Sequence, residues 1–250
     1  MSETKVLLEL VQRQLDEFCA SRRDEFVAIS PDLGILVDYT KDLLAGGKRF
    51  RALFCYWAWV ACLDSASFGQ DHAQRTRSAE AMVGISAALE MFHGAALVHD
   101  DLLDQSDTRR GVPAIHKRFE YMHDKAGWAG SPERFGQAGS VLVGDLMLAW
   151  SSEIFGNALL KSPSSQIESA CRDEFSKMRV EVMAGQYLDV LEENAAPTRD
   201  VEGAVGRANR VILYKTAKYS IEAPLLIGAA FAGADPAVLR GLSAFGIPLG

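Results

Sequence analysis

The stretch from about residue 73 to residue 104 constrains the fold of this chain more than any other. Its middle, from Ala81 to Val98, is rich in alanine, leucine and methionine and is apolar almost all round a helix. A helix of that kind has no face for solvent, so other elements must surround it. The sequence therefore predicts a buried central helix.

The rest of the chain also reads as helical. Apolar residues recur at spacings of three and four, and the sequence shows neither a period-2 strand pattern nor an internal repeat. Apart from the central helix, the longer predicted helices cover about residues 4–29, 33–44, 50–63, 138–160 and 166–193. The helix over 50–63, which contains Trp57 and Trp59, is expected to be buried, and a polar loop is expected over about 64–72. Because 250 residues suffice for one domain with a large core, we predict an all-α single domain of about ten helices.

The composition excludes several classes of protein. A net charge of −7 argues against a general nucleic-acid binder, so an anionic ligand must be held by local basic residues or by a metal ion. The four cysteines form no CxxC pair and are expected to be buried thiols in a reducing cytosol. The N-terminus shows no signal-peptide pattern, and the sequence has no stretch of about 18 uncharged apolar residues. We therefore expect a cytoplasmic protein with neither a nucleic-acid partner nor a membrane span.

The central helix ends in an acidic cluster that indicates a metal site. Asp100 and Asp104 are four residues apart and share a helix face, with Asp101 beside them. Carboxylates held so closely repel one another unless a cation lies between them. Oxygen ligands of this kind suit Mg²⁺, which commonly bridges to phosphate, and Arg109 and Arg110 follow at once with side chains suited to phosphate. The segment predicts a site for a magnesium-bound diphosphate.

Each motif alone also has an ordinary explanation. Acidic residues are frequent at helix ends, and the basic segment Gly46–Arg51 would serve equally as a helix-entry loop with solvated charges. His93 on an apolar helix is commonly a hydrogen-bonded core histidine, and Lys215 at a helix junction is as readily a solvent-facing side chain. An EF-hand is excluded because no glutamate stands at position 12 of the loop. A Walker A loop is excluded because Arg49, rather than serine or threonine, follows Lys48.

Taken together and in order, the motifs resemble those of the head-to-tail trans-isoprenyl diphosphate synthases, or polyprenyl synthetases. The matching residues, between about positions 45 and 220, are Gly46-Gly47-Lys48-Arg49-Phe50-Arg51, Leu89 through Gly111, Gly144-Asp145, Gly185-Gln186-Tyr187-Leu188-Asp189 and Lys215-Thr216. Five ordered motifs are a specific signal. The resemblance implies a bundle of mostly antiparallel helices around a deep central cavity, usually a homodimer. It also implies an enzyme that joins an allylic diphosphate (dimethylallyl, geranyl or farnesyl) to isopentenyl diphosphate and releases diphosphate.

The resemblance further implies a role for each matching residue. Asp100 and Asp104 match the first aspartate-rich motif and would bind Mg²⁺, the implied cofactor. With Asp101 and Lys215 they are the implied catalytic residues. The implied substrate contacts are Arg109, Gln186, Lys215 and Thr216 for the allylic diphosphate, and Lys48, Arg51, His93 and Arg110 for isopentenyl diphosphate.

Two departures from the family pattern are visible. Ala52 follows Arg51 where the family usually has proline, a backbone change that is not expected to abolish binding. No second aspartate-rich motif occurs after residue 220, where Asp235 stands alone, although the family carries one just after a segment like Phe245–Gly250. We therefore interpret residues 1–250 as a polyprenyl synthetase domain that lacks its C-terminal part, and we expect little or no synthase activity from this stretch alone.

The resemblance also bears on product length. Ala95 and Ala96 stand five and four positions before the first aspartate, where residues of the family often shape the pocket floor and large aromatics stop growth at short products. Two alanines imply geranylgeranyl diphosphate or a longer product, unless Trp57 or Trp59 blocks the pocket from a deeper layer.

Three alternatives remain open at this level. The chain could belong to a longer-chain or farnesyl diphosphate synthase, or it could be a regulatory subunit of a heteromeric synthase. A class I terpene cyclase is disfavoured because no NDxxSxxxE-like motif is visible, and because a cyclase would not need Lys48, Arg51 and His93 for a second diphosphate.

Overall fold

The computed structural model describes residues 2–66 and 72–250, which form helices almost throughout. The α-helices are α1 (Glu3–Ile29), α2 (Gly34–Leu44), α3 (Phe50–Ala66), α4 (His72–Leu103), α5 (Ile115–Ala126), α6 (Pro132–Leu159), α7 (Ser165–Ala195), α8 (Ala204–Val211), α9 (Ala223–Phe231) and α10 (Pro236–Leu249). A π-helix (Ile212–Glu222) joins α8 to α9, short 3-10 turns lie at Pro31–Leu33 and Ala196–Thr198, and two strands, β1 (Thr108–Arg109) and β2 (Val112–Pro113), precede α5. The all-α prediction is confirmed. Of the predicted polar loop, residues 67–71 lie outside the described residues, whereas 64–66 belong to α3 and residue 72 begins α4.

The helices form two compact units, each built from two stretches of chain. The first unit contains Met1–Lys48 and Ala87–Phe155, and the second contains Arg49–Ser86 and Gly156–Gly250. In the first unit α1 packs against α2. In the second unit α9 is buried at every residue and packs against α3, α7, α10 and the π-helix.

The predicted buried helix is α4. Its residues from Ala81 to Val98 are mostly buried, as a helix that is apolar all round requires. By length and composition α4 is also apolar enough to cross a membrane, but 78% of its apolar window is buried inside the protein. Burial in the core therefore accounts for its apolar character.

Helix α3 is buried on one face only. Its buried positions include Cys55, Trp59 and Cys62, which recur at helical spacing on the side that packs against α9. The expectation of burial is right for Trp59, which is 5% exposed, and wrong for Trp57, which is 38% exposed on the other face.

Two helix starts show the role of capping residues. Helix α10 begins at Pro236, and the side chain of Asp235 before it accepts hydrogen bonds from the backbone N–H groups of Ala237 and Val238. Helix α6 begins at Pro132, six residues before the predicted start, because Ser131 caps it and accepts a hydrogen bond from the Arg134 N–H at 3.3 Å.

Candidate active site

The acidic cluster lies at the C-terminal end of α4, in the first unit. The N–H of Asp104 donates to the carbonyl of Asp100 at 2.8 Å, so the two residues are one helical turn apart, as predicted. The N–H of Ser106 then donates to the carbonyl of Asp101 at 2.8 Å, which closes the helix as a Schellman motif. Gln105 takes the left-handed position of that motif with φ 52°, where glycine is usual.

This position is electrostatically unfavourable for carboxylates, because the helix dipole places partial negative charge at a C-terminus. Arg109 relieves the repulsion. Its Nε donates to Asp101 Oδ1 at 2.8 Å, its Nη2 bonds the same oxygen, and its Nη2 also donates to Asp100 Oδ2 at 3.2 Å. Asp101 is 2% exposed, and its hydrogen bond raises the pKa of Arg109. Asp101 is therefore above all the partner of this arginine, whereas Asp104 is exposed at the helix end.

Asp100 and Asp104 fit Mg²⁺ by the chemistry of their donors. Mg²⁺ prefers oxygen ligands and usually takes one or two carboxylates from a protein, with water and phosphate oxygens completing its coordination. Within the described residues, no group of three or more His, Cys, Asp or Glu side chains is arranged to hold a metal ion by itself. The pair therefore fits an ion whose remaining ligands are water or phosphate oxygens.

A minimal hairpin gives the two arginines different partners. Strands β1 and β2 pair antiparallel, and the turn residues Arg110 (φ 54°) and Gly111 (φ 81°) both have positive φ, as a type I′ turn requires. Arg109, in the stem, reaches the aspartates. Arg110, at the tip, lies over the glycine loop, with its Nη2 atom 3.0 Å from the position that a Cβ at Gly47 would occupy. Its Nη1 atom donates to the Gly46 carbonyl at 3.4 Å.

Backbone strain is concentrated in the motifs. In the part of the chain that the structure describes, the non-glycine residues with positive φ are Arg49, Gln105 and Arg110, and all three lie in motif segments. Such conformations cost free energy and persist where the surrounding structure, and often function, requires them.

The Gly144-Asp145 motif brings α6 against the end of α4. A Cβ at Gly144 would lie 2.5 Å from Cδ2 of the His99 ring, so a side chain at this position would displace that ring. The His99 Nε2 atom is 3.6 Å from Asp145 Oδ1. This motif therefore packs against the residue that directly precedes the acidic cluster.

The remaining predicted residues of the first unit differ in exposure. Lys48 is exposed and His93 is half-buried on α4, about two turns before Asp100. Ala95 is fully buried and Ala96 is half-buried, so the two alanines face different surroundings.

The second unit holds Arg51, Gln186, Lys215 and Thr216. The glycine of the Gly185–Asp189 segment lets α7 touch the π-helix, because a Cβ there would lie 2.6 Å from the Tyr214 carbonyl carbon and 2.9 Å from the Lys215 Cα. At the other end of the segment, Asp189 Oδ2 is 2.5 Å from Lys215 Nζ. The side-chain nitrogen of Gln186 is buried without a hydrogen-bond partner, and Thr216 is exposed. The structure thus brings the Gly185–Asp189 segment and Lys215 into one cluster. The sequence did not indicate that Asp189 pairs with Lys215.

A mostly half-buried charge network anchors the π-helix. Lys218 Nζ is 3.0 Å from Glu181 Oε1 on α7 and 3.7 Å from Glu222 Oε2, and Ser243 on α10 donates to Glu222 Oε1 at 2.5 Å. Burial raises the pKa of Glu174, and the nearby negative charges of Glu222 and Glu181 add to that effect.

This raised pKa predicts how stability depends on pH. Above the ordinary carboxyl pKa of 4.5, folded Glu174 still binds a proton that the unfolded chain has released, so its contribution to stability falls as pH rises. Glu174→Gln should therefore raise Tm at about pH 8 and change it little near pH 4. Thermal unfolding across this range is the measurement, with Glu193→Gln, exposed on the same helix, as control. A constant Tm difference at every pH would contradict the prediction.

The fold is all-α, and an acidic cluster at the end of one of its helices is paired with an arginine. The family model described as polyprenyl synthetase matches residues 34–250, so the chain belongs to the polyprenyl synthetase family.

Relatives and solved structures agree with this assignment. The chain is 31% identical over 223 residues to the geranylgeranyl diphosphate synthase of Sulfolobus acidocaldarius, covering 89% of this chain and 57% of that protein. It is 31% identical over 208 residues to a geranylfarnesyl diphosphate synthase of Methanosarcina mazei, covering 82% and 55%. A crystal structure of geranylgeranyl pyrophosphate synthase from Corynebacterium glutamicum, complexed with isoprenyl diphosphate and magnesium, matches 98% of this chain and 64% of its own length, with a TM-score of 0.85 and 31% identity. The chain thus spans between half and two thirds of the length of these proteins.

Proposed function

We propose that this chain carries the prenyl-transfer site of a trans-prenyl diphosphate synthase, which condenses isopentenyl diphosphate head-to-tail with an allylic diphosphate. The observation that supports the proposal is that the two adjacent arginines contact different parts of the structure. Arg109 balances the acidic end of α4, and Arg110 lies over the glycine loop next to Lys48. Two separate basic positions suit two separate diphosphates, as a condensation requires.

The chemistry assigned to these residues is stabilisation of developing charge. Asp100 and Asp104 would hold Mg²⁺, which would neutralise negative charge on the leaving diphosphate. The allylic C–O bond breaks with its electron pair going to diphosphate, and Arg109 provides a fixed donor for that charge. The double bond of isopentenyl diphosphate then attacks the allylic carbon, and the proton lost afterwards goes to the released diphosphate. Lys215, whose ammonium group Asp189 holds in place in the second unit, is a further proposed catalytic residue.

The test is a substrate panel with the full-length protein. Labelled isopentenyl diphosphate is offered with dimethylallyl, geranyl or farnesyl diphosphate, with and without Mg²⁺, and products are separated by chain length. We expect magnesium-dependent elongation of at least one allylic substrate. Lys161→Ala, which removes only an exposed ion pair with Glu80, is the control variant and should behave as the native protein. Cyclised hydrocarbons, or no condensation with any of the three, would contradict the proposal.

For product length we propose geranylgeranyl diphosphate, supported by the small residues before the acidic cluster. The structure distinguishes the two alanines. Ala96 is half-buried, so Ala96→Phe has room at one side and should shorten the product by at least one isoprene unit. Ala95 is fully buried, so Ala95→Phe should mainly destabilise the fold through overpacking, by about 1–3 kcal/mol. Product chromatography and thermal unfolding of both variants separate the effects, and an unchanged product from a folded Ala96→Phe protein would contradict the assignment.

The strained turn predicts a trade-off at Arg110. Arg110→Asn places a residue preferred at the first position of a type I′ turn, so Tm should rise by about 2–4 °C. The same change removes a charged phosphate contact, so the KM for isopentenyl diphosphate should rise about tenfold or more. Arg110→Lys keeps the charge and should show a smaller KM increase without the gain in Tm. Loss of stability and binding together in Arg110→Asn would contradict this account.

We further propose that the protein acts in the cytoplasm as a homodimer. All four cysteines are free and buried, and burial raises the pKa of the Cys19 thiol to about 11 and that of the Cys171 thiol to about 12, which suits unreactive thiols in a reducing compartment. Exposed apolar side chains on α6, among them Val141 and Leu142, are candidates for a subunit contact. Light scattering on the full-length protein gives its mass in solution, and a monomer would contradict the dimer.

A further inference from the structure

The side chain of Arg51 is held on two sides by the π-helix. Its Nη2 donates to the Ser220 hydroxyl at 2.7 Å, and its Cζ lies 4.2 Å from the centroid of the Tyr219 ring. Tyr219 is 5% exposed, so the ring is itself fixed in the core of the second unit. The stacking and the hydrogen bond together fix both the plane and the rotation of the guanidinium.

A third observation shows what this orientation leaves available. The Nε of Arg51 is buried and has no hydrogen-bond partner in the described structure. Buried donors are nearly always satisfied in native proteins, and an exception calls for a reason such as a ligand. One edge of the guanidinium is thus occupied by the protein, while the adjacent N–H is left for an anionic group.

We propose that Tyr219 and Ser220 are positioning residues that orient Arg51 toward the diphosphate of isopentenyl diphosphate. The proposal rests on the proposed function, in which Arg51 binds that substrate. A free arginine side chain samples many rotamers, and holding it in the binding geometry in advance removes that entropy cost from substrate binding. The residues should therefore act on substrate affinity rather than on the chemical step.

Because these residues lie on the π-helix, an experiment can distinguish a role in orienting Arg51 from a merely structural role in the helix. In a π-helix the hydrogen bonds join residues five apart, so Ser220 follows Lys215 by one turn of the same segment. Lys215 is assigned to the allylic substrate. A change that merely disturbs the π-helix should therefore impair both substrates, whereas loss of Arg51 orientation should impair isopentenyl diphosphate alone.

The experiment measures KM for each substrate, and kcat, in the full-length protein. Ser220→Ala and Tyr219→Leu should each raise the KM for isopentenyl diphosphate about threefold to tenfold, with less than about a twofold change in the allylic KM and in kcat. Tyr219→Phe retains the aromatic face and Ser220→Thr retains the hydroxyl, so both should stay close to the native values. In an Arg51→Ala background, Tyr219→Leu should have no further effect on this KM, because the two residues act through one group.

The outcomes separate this proposal from the function on which it rests. If the native protein condenses the substrates but the variants raise both KM values equally, or neither, the positioning role is wrong and the function stands. If the native protein neither binds nor condenses isopentenyl diphosphate, the proposed function fails, and this proposal fails with it. A KM increase for Tyr219→Leu that persists in full in the Arg51→Ala background would also overturn the positioning role.

Discussion

Asp100→Asn and Asp104→Asn are each expected to lower kcat about 100-fold or more, with little loss of folding stability. An amide has almost the same shape as a carboxylate but carries no charge, so each change weakens the oxygen pair that suits Mg²⁺ while preserving the end of α4. The double variant should be only slightly worse than the poorer single variant, since both residues are proposed to hold one ion. Initial rates across a magnesium titration are the measurement, and the magnesium concentration for half-maximal rate should rise in both single variants.

Asp107→Asn is the matched control for this pair. Asp107 lies in the connection that follows α4, and its side chain is 78% exposed and 3.5 Å from Lys117 Nζ. Loss of an exposed carboxylate of this kind should change the rate less than about twofold. Native activity and magnesium dependence in Asp104→Asn would show that this residue is not a metal ligand.

Gly185→Ala is expected to cause the largest combined loss of stability and activity from a single methyl group. The new Cβ would meet backbone atoms of Tyr214 and Lys215, which cannot rotate away, so α7 and the π-helix must separate. Overpacking of this kind costs about 1–3 kcal/mol, which outweighs the gain in helix propensity of about 1 kcal/mol. Because Lys215 moves with its backbone, kcat/KM should fall about 100-fold.

Gly206→Ala provides the matched control in the same unit. Gly206 lies within α8, and a Cβ there would meet nothing within 4 Å. The same substitution should therefore raise Tm slightly through helix propensity and leave activity unchanged. Thermal unfolding and initial rates of the two variants separate the effect of the steric clash from that of the substitution itself. Similar behaviour of both proteins would contradict the close contact at Gly185.

Some of the site could be predicted because the information is local. The four-residue spacing of Asp100 and Asp104 fixes a shared helix face, and the hydrogen bond between their backbones confirms it. The hairpin that separates Arg109 from Arg110 could not be predicted, because strands of two residues have no periodicity to detect. Nor could the π-helix, because its apolar spacing over so short a segment is close to that of an α-helix.

The sequence by itself determined the helical class, the burial of α4, the identity of the acidic and basic motifs and the family to which they belong. All of these depend on periodicity, or on short motifs and their order along the chain. Only the tertiary structure decided which partner each charged group has. Arg109 pairs with the aspartates, Arg110 covers the glycine loop and Arg51 rests on Tyr219, because such contacts depend on where helices pack. Residues 169 positions apart, such as Arg51 and Ser220, carry no mark of their contact in one sequence.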